Sequence, residues 1–229
     1  MKYIAIIAAM DEEVESIKKI MDDSSIKEIY DLQFITGKIN EKEVVLAKCG
    51  VGKVNAARTT QILIDNFDIE YVINVGTAGS LNDNIEIGDL VIAEKLVQHD
   101  FDITGFGHEK GYISGSGKYF YSDKSLIQKA KLTIEEMNEK FNQHVGIIAT
   151  GDVFVQDINV KNIIKEEFNA ECVEMEGAAI AQVCTLDKVP FIVIRAISDK
   201  PNGNNSIDFE TYLQMACERY AKFIDFFVK

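Results

Sequence analysis

Proline, histidine and cysteine are scarce in this chain, and each scarcity excludes a class of structure or site. With two prolines in 229 residues and no linker, repeat or low-complexity tract, the chain offers no internal boundary, so we predict one domain over residues 1–229. The four cysteines include no C-x-x-C pair and lie in apolar or helical patterns, which predicts buried free thiols. The three histidines, His99, His108 and His144, lack metal-ligand spacing, so we expect no metal.

Long apolar runs and clustered positive charges are also missing. No stretch reaches the roughly 18 apolar residues of a membrane-spanning helix, and the N-terminus lacks the features of a signal peptide. We therefore expect a cytoplasmic protein without a membrane partner. The formal charge of −13 and the pI near 4.7 argue against nucleic acid as a partner, because nucleic-acid binding needs clustered Lys and Arg. An acidic protein does suit a reaction with a cationic transition state.

What the sequence does contain is an alternation of short apolar runs with amphipathic segments. The apolar runs predict strands at 3–9, 43–48, 71–75, 89–93, 145–149 and 190–197. Helical periodicity predicts helices at 12–21, 53–66, 123–141, 158–168, 175–187 and the C-terminus. Phe34–Gly37 and Glu43–Leu46 predict an antiparallel hairpin. The alternation is typical of an α/β layered fold with helices on both faces of a mixed sheet.

One long segment fits neither pattern. Between Asp102 and Asp123 the chain carries five glycines interleaved with aromatic residues. Long irregular loops in compact domains are usually functional or disordered, and the aromatics favour burial against a partner subunit or a ligand.

Three acids follow the first predicted strand, and they point in different directions. Acids favour the first turn of a helix, which explains one or two of Asp11, Glu12 and Glu13. On a helical projection Glu13 lies only about 50° from the centre of the apolar stripe, whereas Glu12 lies about 150° away. Glu13 therefore faces inward, where a carboxylate is costly unless it is paired or binds a site water. We interpret Glu13 as a functional residue.

Other acids stand where ligands bind in α/β proteins. Asp199 ends the last apolar strand, and the crevice beyond the carboxyl ends of strands is the usual ligand site, although a turn or N-cap aspartate is an equal alternative. Glu174 and Glu176 precede a run of small residues that predicts a deeply buried helix start, so their carboxylates need partners.

Two further motifs are interpreted as turns rather than as functional sites. Gly50-Val51-Gly52-Lys53 lacks the spacing and the following Ser or Thr of a phosphate-binding loop, so we interpret it as a tight turn. His99-Asp100-Phe101-Asp102 has no second histidine in range, which favours a polar surface turn over a metal site or proton relay.

Six motifs in order resemble one family. They are A-A-M-D-E-E-V at 8–14, G-V-G-K-V-N-A-A at 50–57, N-V-G-T-A-G at 74–79, T-G-D-V-F-V at 150–155, V-E-M-E-G-A-A-I-A at 173–181 and R-A-I-S-D at 195–199. This set is similar to the 5′-methylthioadenosine/S-adenosylhomocysteine nucleosidases. The resemblance implies a nucleoside phosphorylase/hydrolase-like three-layer α/β/α fold and a homodimer. It also implies hydrolysis of the bond between adenine and a 5′-thioribose without a cofactor.

The resemblance assigns roles residue by residue. It implies that Glu13 is the general base for water, that Asp199 protonates the departing adenine at N7, and that Glu176 binds the ribose and helps to hold the water. The implied substrate-binding residues are Ala9, Met10, Val51, Thr77, Ala78, Gly79, Phe154, Val155, Glu174, Met175, Arg195, Ser198 and Phe209. Ile103, Phe106 and His108 would reach the site of the neighbouring subunit.

The chain departs from the family pattern in three places. Thr77 stands where serine is common, His108 stands where tyrosine is expected, and the segment from Phe154 to Glu176 is one residue short.

Two other functions are compared with this one. A purine nucleoside phosphorylase shares the fold, but its phosphate would be repelled by the acids at positions 11–13. A non-catalytic nucleoside sensor would have lost Glu13 or Asp199, and both are present.

Overall fold

The computed structural model describes residues 2–201 and 209–229, with the side chains of residues 209–211 left out. Its strands are β1 (Tyr3–Ala8), β2 (Asp22–Ile29), β3 (Leu32–Ile39), β4 (Lys42–Lys48), β5 (Ile69–Ser80), β6 (Leu90–Gln98), β7 (Phe120–Tyr121), β8 (Gln143–Thr150), β9 (Ala170–Glu174) and β10 (Phe191–Asp199). Its helices are α1 (Asp11–Lys18), α2 (Lys53–Asn66), α3 (Lys124–Met137), α4 (Ile158–Phe168), α5 (Gly177–Leu186) and α6 (Phe209–Phe227).

The strands form one mixed sheet that is partly closed on itself. One arm runs β2-β3-β4-β1-β5, with β1 parallel to both β4 and β5. β10 lies parallel to β5, and the path continues through β6 and β8 to β9. β9 then pairs with the last residues of β5, at Gly79 and Ser80, which closes a ring of strands. The carboxyl ends of β1, β5, β9 and β10 consequently meet in one place.

Helices cover both faces of the sheet, as the alternation predicts. α1, α3 and α6 pack with one face of β1, β5, β6 and β10 in an apolar core. α2 and α5 pack with the opposite face in a second core, and α4 covers β8 and β9 in a third. The predicted three-layer α/β/α fold is confirmed.

A buried tyrosine connects the last helix to the strands that lead to the crevice. The Tyr220 hydroxyl accepts the Ala196 N–H of β10 at 2.8 Å and donates to the Gly76 carbonyl of β5. A buried tyrosine hydroxyl normally finds such partners, and here they fix α6 against the sheet.

The predicted elements are confirmed with two kinds of difference. Each predicted strand and helix is present, and Phe34 and Ala47 pair in the expected hairpin of β3 and β4. β2, β7 and β9 are not among the predicted strands. α5 begins two residues later than expected, and α1 and α3 end three and four residues earlier than expected. β2 is polar and exposed along nearly its whole length, so it gives no alternation signal and forms through its pairing with β3.

The predicted state of the cysteines is confirmed. All four cysteines are free and buried. Within residues 2–201 and 209–229, no cluster of His, Cys, Asp or Glu could hold a metal ion. The same ranges contain no helix of the length and apolarity needed to cross a bilayer. The predicted surface turn is wrong for His99, which is 6% exposed and packs against Gly151.

Candidate active site

A cleft of about 400 Å³ opens where the carboxyl ends of the parallel strands meet. It is lined by Ala9, Met10, Glu13, Val51, Val75, Gly76, Thr77, Ala78, Gly79, Phe154, Val173, Glu174, Met175, Glu176 and Ser198. A small adjoining space of about 30 Å³ shares Gly79, Phe154 and Met175 with this cleft and reaches Val155 and Asp199. Its size is that of a single water molecule or a small part of a ligand. The cleft and its extension therefore connect Glu13 with Asp199.

Glu13 lies on the inner face of α1, as its position in the helical projection predicts. It is 1% exposed, whereas Glu12 is exposed. Its Oε2 accepts the backbone N–H groups of Ala9 and Met10, each at 3.0 Å. Burial raises the pKa of Glu13, and the Met10 N–H and the Arg195 charge oppose that effect. A carboxyl group with a raised pKa that remains within reach of a cleft is suited to act as a base.

Glu176 stands at the N-cap of α5 and is held by the turn that resembles a phosphate-binding loop. The Gly52 N–H donates to Glu176 Oε1 at 2.9 Å, so the amide of this turn binds a carboxylate of the protein itself. Gly52 has a φ of 97°, a backbone conformation that favours glycine. Burial first, and then the negative charge of Glu174, raise the pKa of Glu176 to about 7. Protonated and ionised forms of this group therefore both occur near neutral pH.

Glu174 and Arg195 form a buried ion pair beneath the cleft. The Arg195 guanidinium donates from Nη2 to Glu174 Oε2, and to Asn74 Oδ1 at 2.7 Å. Glu174 also accepts the N–H groups of Glu176 at 3.0 Å and Gly177 at 2.8 Å. Its other oxygen accepts the Thr150 hydroxyl. Glu174 lines the cleft but its carboxylate is occupied by protein donors, and Arg195 lies below the lining.

Asp199 is held at the end of β10 by two donors. The Ser198 hydroxyl donates to Asp199 Oδ1 at 2.9 Å, and the Lys161 ammonium donates to Oδ2 at 2.6 Å. A Cβ atom on Gly79 would lie 3.0 Å from Oδ2, so any larger residue there would push the carboxyl group by a few tenths of an ångström. Among the described residues, the charge in contact with Asp199 is a cation.

The remaining predicted substrate residues mostly form apolar walls. Thr77, Ala78 and Gly79 belong to the last residues of β5, and Ala9, Met10 and Met175 line the same cleft. Phe154, at 66% exposed, and Val51, at 51%, stand at the mouth. An apolar cleft with carboxylates at its ends fits a flat heterocycle joined to a hydroxylated ring.

The glycine-rich segment does not line the cleft. Ile103, Phe106 and His108 are not part of the lining, and Phe106 is 85% exposed. The His108 ring instead stacks on Tyr112, with their centroids 4.6 Å apart. The side chain of Phe209 lies outside the described residues.

Some residues of the site were not identified from the sequence. Gly52, Asn74 and Thr150 lie within the motifs quoted above, but they received no role because their contacts are made with residues far away in the chain. Lys161 did leave a signal, because it occupies the same face of α4 as Ile164 and Phe168. A lysine on an apolar stripe needs a buried partner, and Asp199 is that partner.

Comparisons with known proteins extend over the length of the chain. A family model described as the phosphorylase superfamily matches residues 3–229. The chain is similar to the 5′-methylthioadenosine/S-adenosylhomocysteine nucleosidase of Staphylococcus epidermidis, with 42% identity over 214 residues and 93% of each protein covered. Its structure resembles the Campylobacter jejuni nucleosidase of that name, with a TM-score of 0.95, 36% identity, and coverage of 100% of this chain and 99% of the other. It also resembles the futalosine hydrolase of Helicobacter pylori, with a TM-score of 0.93, 35% identity and coverage of 99% and 97%.

Proposed function

Because the chain belongs to the phosphorylase superfamily and, within it, to the 5′-methylthioadenosine/S-adenosylhomocysteine nucleosidases, we propose that it hydrolyses the N-glycosidic bond of both nucleosides. It is a hydrolase that releases adenine and the 5-thioribose sugar, and we include 5′-deoxyadenosine among its substrates. The observation that carries this proposal is the connection of Glu13 to Asp199 through one cleft and its extension.

Cleavage of this bond makes two demands on a site. The sugar becomes a cationic oxocarbenium ion, and the purine takes the electron pair of the bond, so it leaves as an anion unless it is protonated. A base on the sugar side and a proton donor on the purine side meet these demands, as in glycoside hydrolysis. In our proposal Glu13 activates the water, Asp199 protonates N7, and Glu176 binds the ribose hydroxyls. The negative charge of Glu176 also lies where positive charge develops.

Water is a better nucleophile than phosphate for this site. A phosphate bound beside α1 would use the N–H groups that begin the helix. The N–H groups of Ala9 and Met10 already donate to Glu13, whose burial would place a carboxylate against the phosphate. Like charges in low dielectric repel strongly, so hydrolysis is favoured over phosphorolysis.

Substrate incubation tests the proposal directly. The purified protein is incubated with 5′-methylthioadenosine, S-adenosylhomocysteine, 5′-deoxyadenosine and aminodeoxyfutalosine, with and without phosphate. We expect adenine and free sugar from the first two at rates that do not depend on phosphate. Formation of a sugar 1-phosphate would identify a phosphorylase, and binding of the nucleosides without cleavage would identify a sensor.

We further infer a homodimer of single-domain subunits. Ile103, Phe106 and His108 lie away from the cleft of their own subunit, and the 85% exposure of Phe106 leaves it available to another copy. In this arrangement the three residues cover the 5′ substituent in the neighbouring site. Size-exclusion chromatography with light scattering should give the mass of a dimer, and a fully active monomer would contradict the assignment.

A further inference from the structure

Lys161 is a buried lysine that points at the proposed proton donor. It is 3% exposed and lies on the face of α4 that carries Ile164 and Phe168. Its ammonium donates to Asp199 Oδ2 at 2.6 Å and to the Lys200 carbonyl at 3.4 Å. Burying an ammonium is unfavourable unless it is paired, so the position of Lys161 depends on Asp199. The Asp199 carboxyl group in turn has Lys161 as its cationic partner.

Both oxygens of the Asp199 carboxyl group have a side-chain partner, and one of these partners is a cation. Lys161 donates to Oδ2 and Ser198 donates to Oδ1, so both oxygens act as acceptors. An ammonium that donates to a carboxyl group stabilises the ionised form of that group. This is also the form in which a general acid is left after it has donated its proton.

We propose that Lys161 is a positioning residue that stabilises the carboxylate formed when Asp199 protonates the purine. The proposal rests on the proposed role of Asp199. In this step the proton moves from the Asp199 carboxyl to N7, and the electrons of the C–N bond go to the purine. The negative charge left on Asp199 is then paired with the Lys161 ammonium. Proton transfer therefore does not create an unpaired anion at this partly buried position.

A structural role for Lys161 is the alternative to this proposal. The same ion pair also connects α4 to the end of β10, so its loss could merely loosen the fold. The two roles differ in their dependence on Asp199. If Lys161 acts through Asp199, the removal of Lys161 lowers kcat only when residue 199 can donate a proton.

A double-mutant cycle separates the two roles. The variants are Lys161→Met, Lys161→Arg, Asp199→Asn and the double variant Lys161→Met/Asp199→Asn. Lys165→Met is the matched control, because Lys165 lies on the same helix and pairs with Asp83 at 3.9 Å, away from the cleft lining. The measurement is kcat for adenine release from 5′-methylthioadenosine, because kcat describes the assembled complex. Binding of a 7-deaza analogue and thermal unfolding are measured in parallel.

We expect Lys161→Met to lower kcat at least about tenfold, since general acid catalysis contributes roughly 10²–10⁴-fold. In the Asp199→Asn background the same change should alter kcat less than about twofold. Lys161→Arg should restore part of the rate because it retains the cation. Equal losses in both backgrounds, or an unchanged kcat in Lys161→Met, would overturn the proposal. Failure of the unmutated protein to release adenine would instead reject the proposed function.

Discussion

Replacement of Glu176 by glutamine should stabilise the protein at neutral and alkaline pH while it removes activity. Burial and the neighbouring Glu174 raise the pKa of Glu176 to about 7. The folded state therefore holds this proton more tightly than the unfolded state, in which the pKa is near 4.5. Stability is unaffected below pH 4.5, falls as the pH rises toward 7, and stays reduced above that pH.

The size of the effect follows from the difference between the two pKa values. Because each pKa unit corresponds to about 1.4 kcal/mol, the ionised Glu176 lowers the free energy of unfolding by roughly 3 kcal/mol above pH 7. Glutamine retains an oxygen that can accept the Gly52 N–H, so Glu176→Gln removes the charge and keeps the contact. For a domain of this size the gain is about 6–12 °C in Tm.

Calorimetry of the Glu176→Gln variant and the unmutated protein from pH 4 to pH 9 measures this difference. Their Tm values should agree near pH 4 and separate as the pH rises toward 7. Glu12→Gln is the control, because Glu12 is exposed in the first turn of α1 and its removal should give no such separation. A constant difference across the pH range, or a less stable variant at pH 8, would refute the reasoning. Adenine release should fall at every pH.

Four further predictions concern the charged residues Glu13, Asp199 and Arg195. Glu13→Gln should lower kcat for adenine release at least about 100-fold while an adenosine analogue still binds, and unchanged turnover would reject Glu13 as the base. Because burial raises the pKa of Glu13 and the ionised form is active, the acid limb of the kcat/KM profile should lie above pH 4.5. Asp199→Asn should retain less than about a tenth of kcat, and a higher residual rate would conflict with general acid catalysis. Arg195→Met should lower the free energy of unfolding by about 3–5 kcal/mol in urea titrations, since it leaves the Glu174 carboxylate unpaired. A second change, Glu174→Gln, should recover part of that loss.

Local periodicity was sufficient to place some residues of the site. The orientation of Glu13 follows from its position on α1, where Val14 and Ile17 define the buried face. The end of an apolar strand likewise indicated Asp199 as a ligand-facing acid. Both inferences depend only on residues within one element and its immediate neighbours in the chain.

The partners of these residues could not be predicted, because they come from other parts of the chain. Glu174 meets Arg195 only because β9 and β10 both pair with β5, a relationship that no local pattern contains. Gly52 reaches Glu176 through the packing of α2 against α5. The sequence therefore indicates that Glu174 is a buried acid in need of a partner. It does not indicate that Arg195 is that partner.

The meeting of four strand ends at the cleft has a consequence for refolding. Glu13 comes from the start of the chain and Asp199 from near its end, and each depends on strands that pair with β5. Long-range strand pairing is slow because chain entropy is lost before the contacts form. A chain that has formed its helices but not these strand pairings has no assembled site and no activity. Recovery of nucleosidase turnover therefore reports formation of the paired strand ends rather than the first collapse.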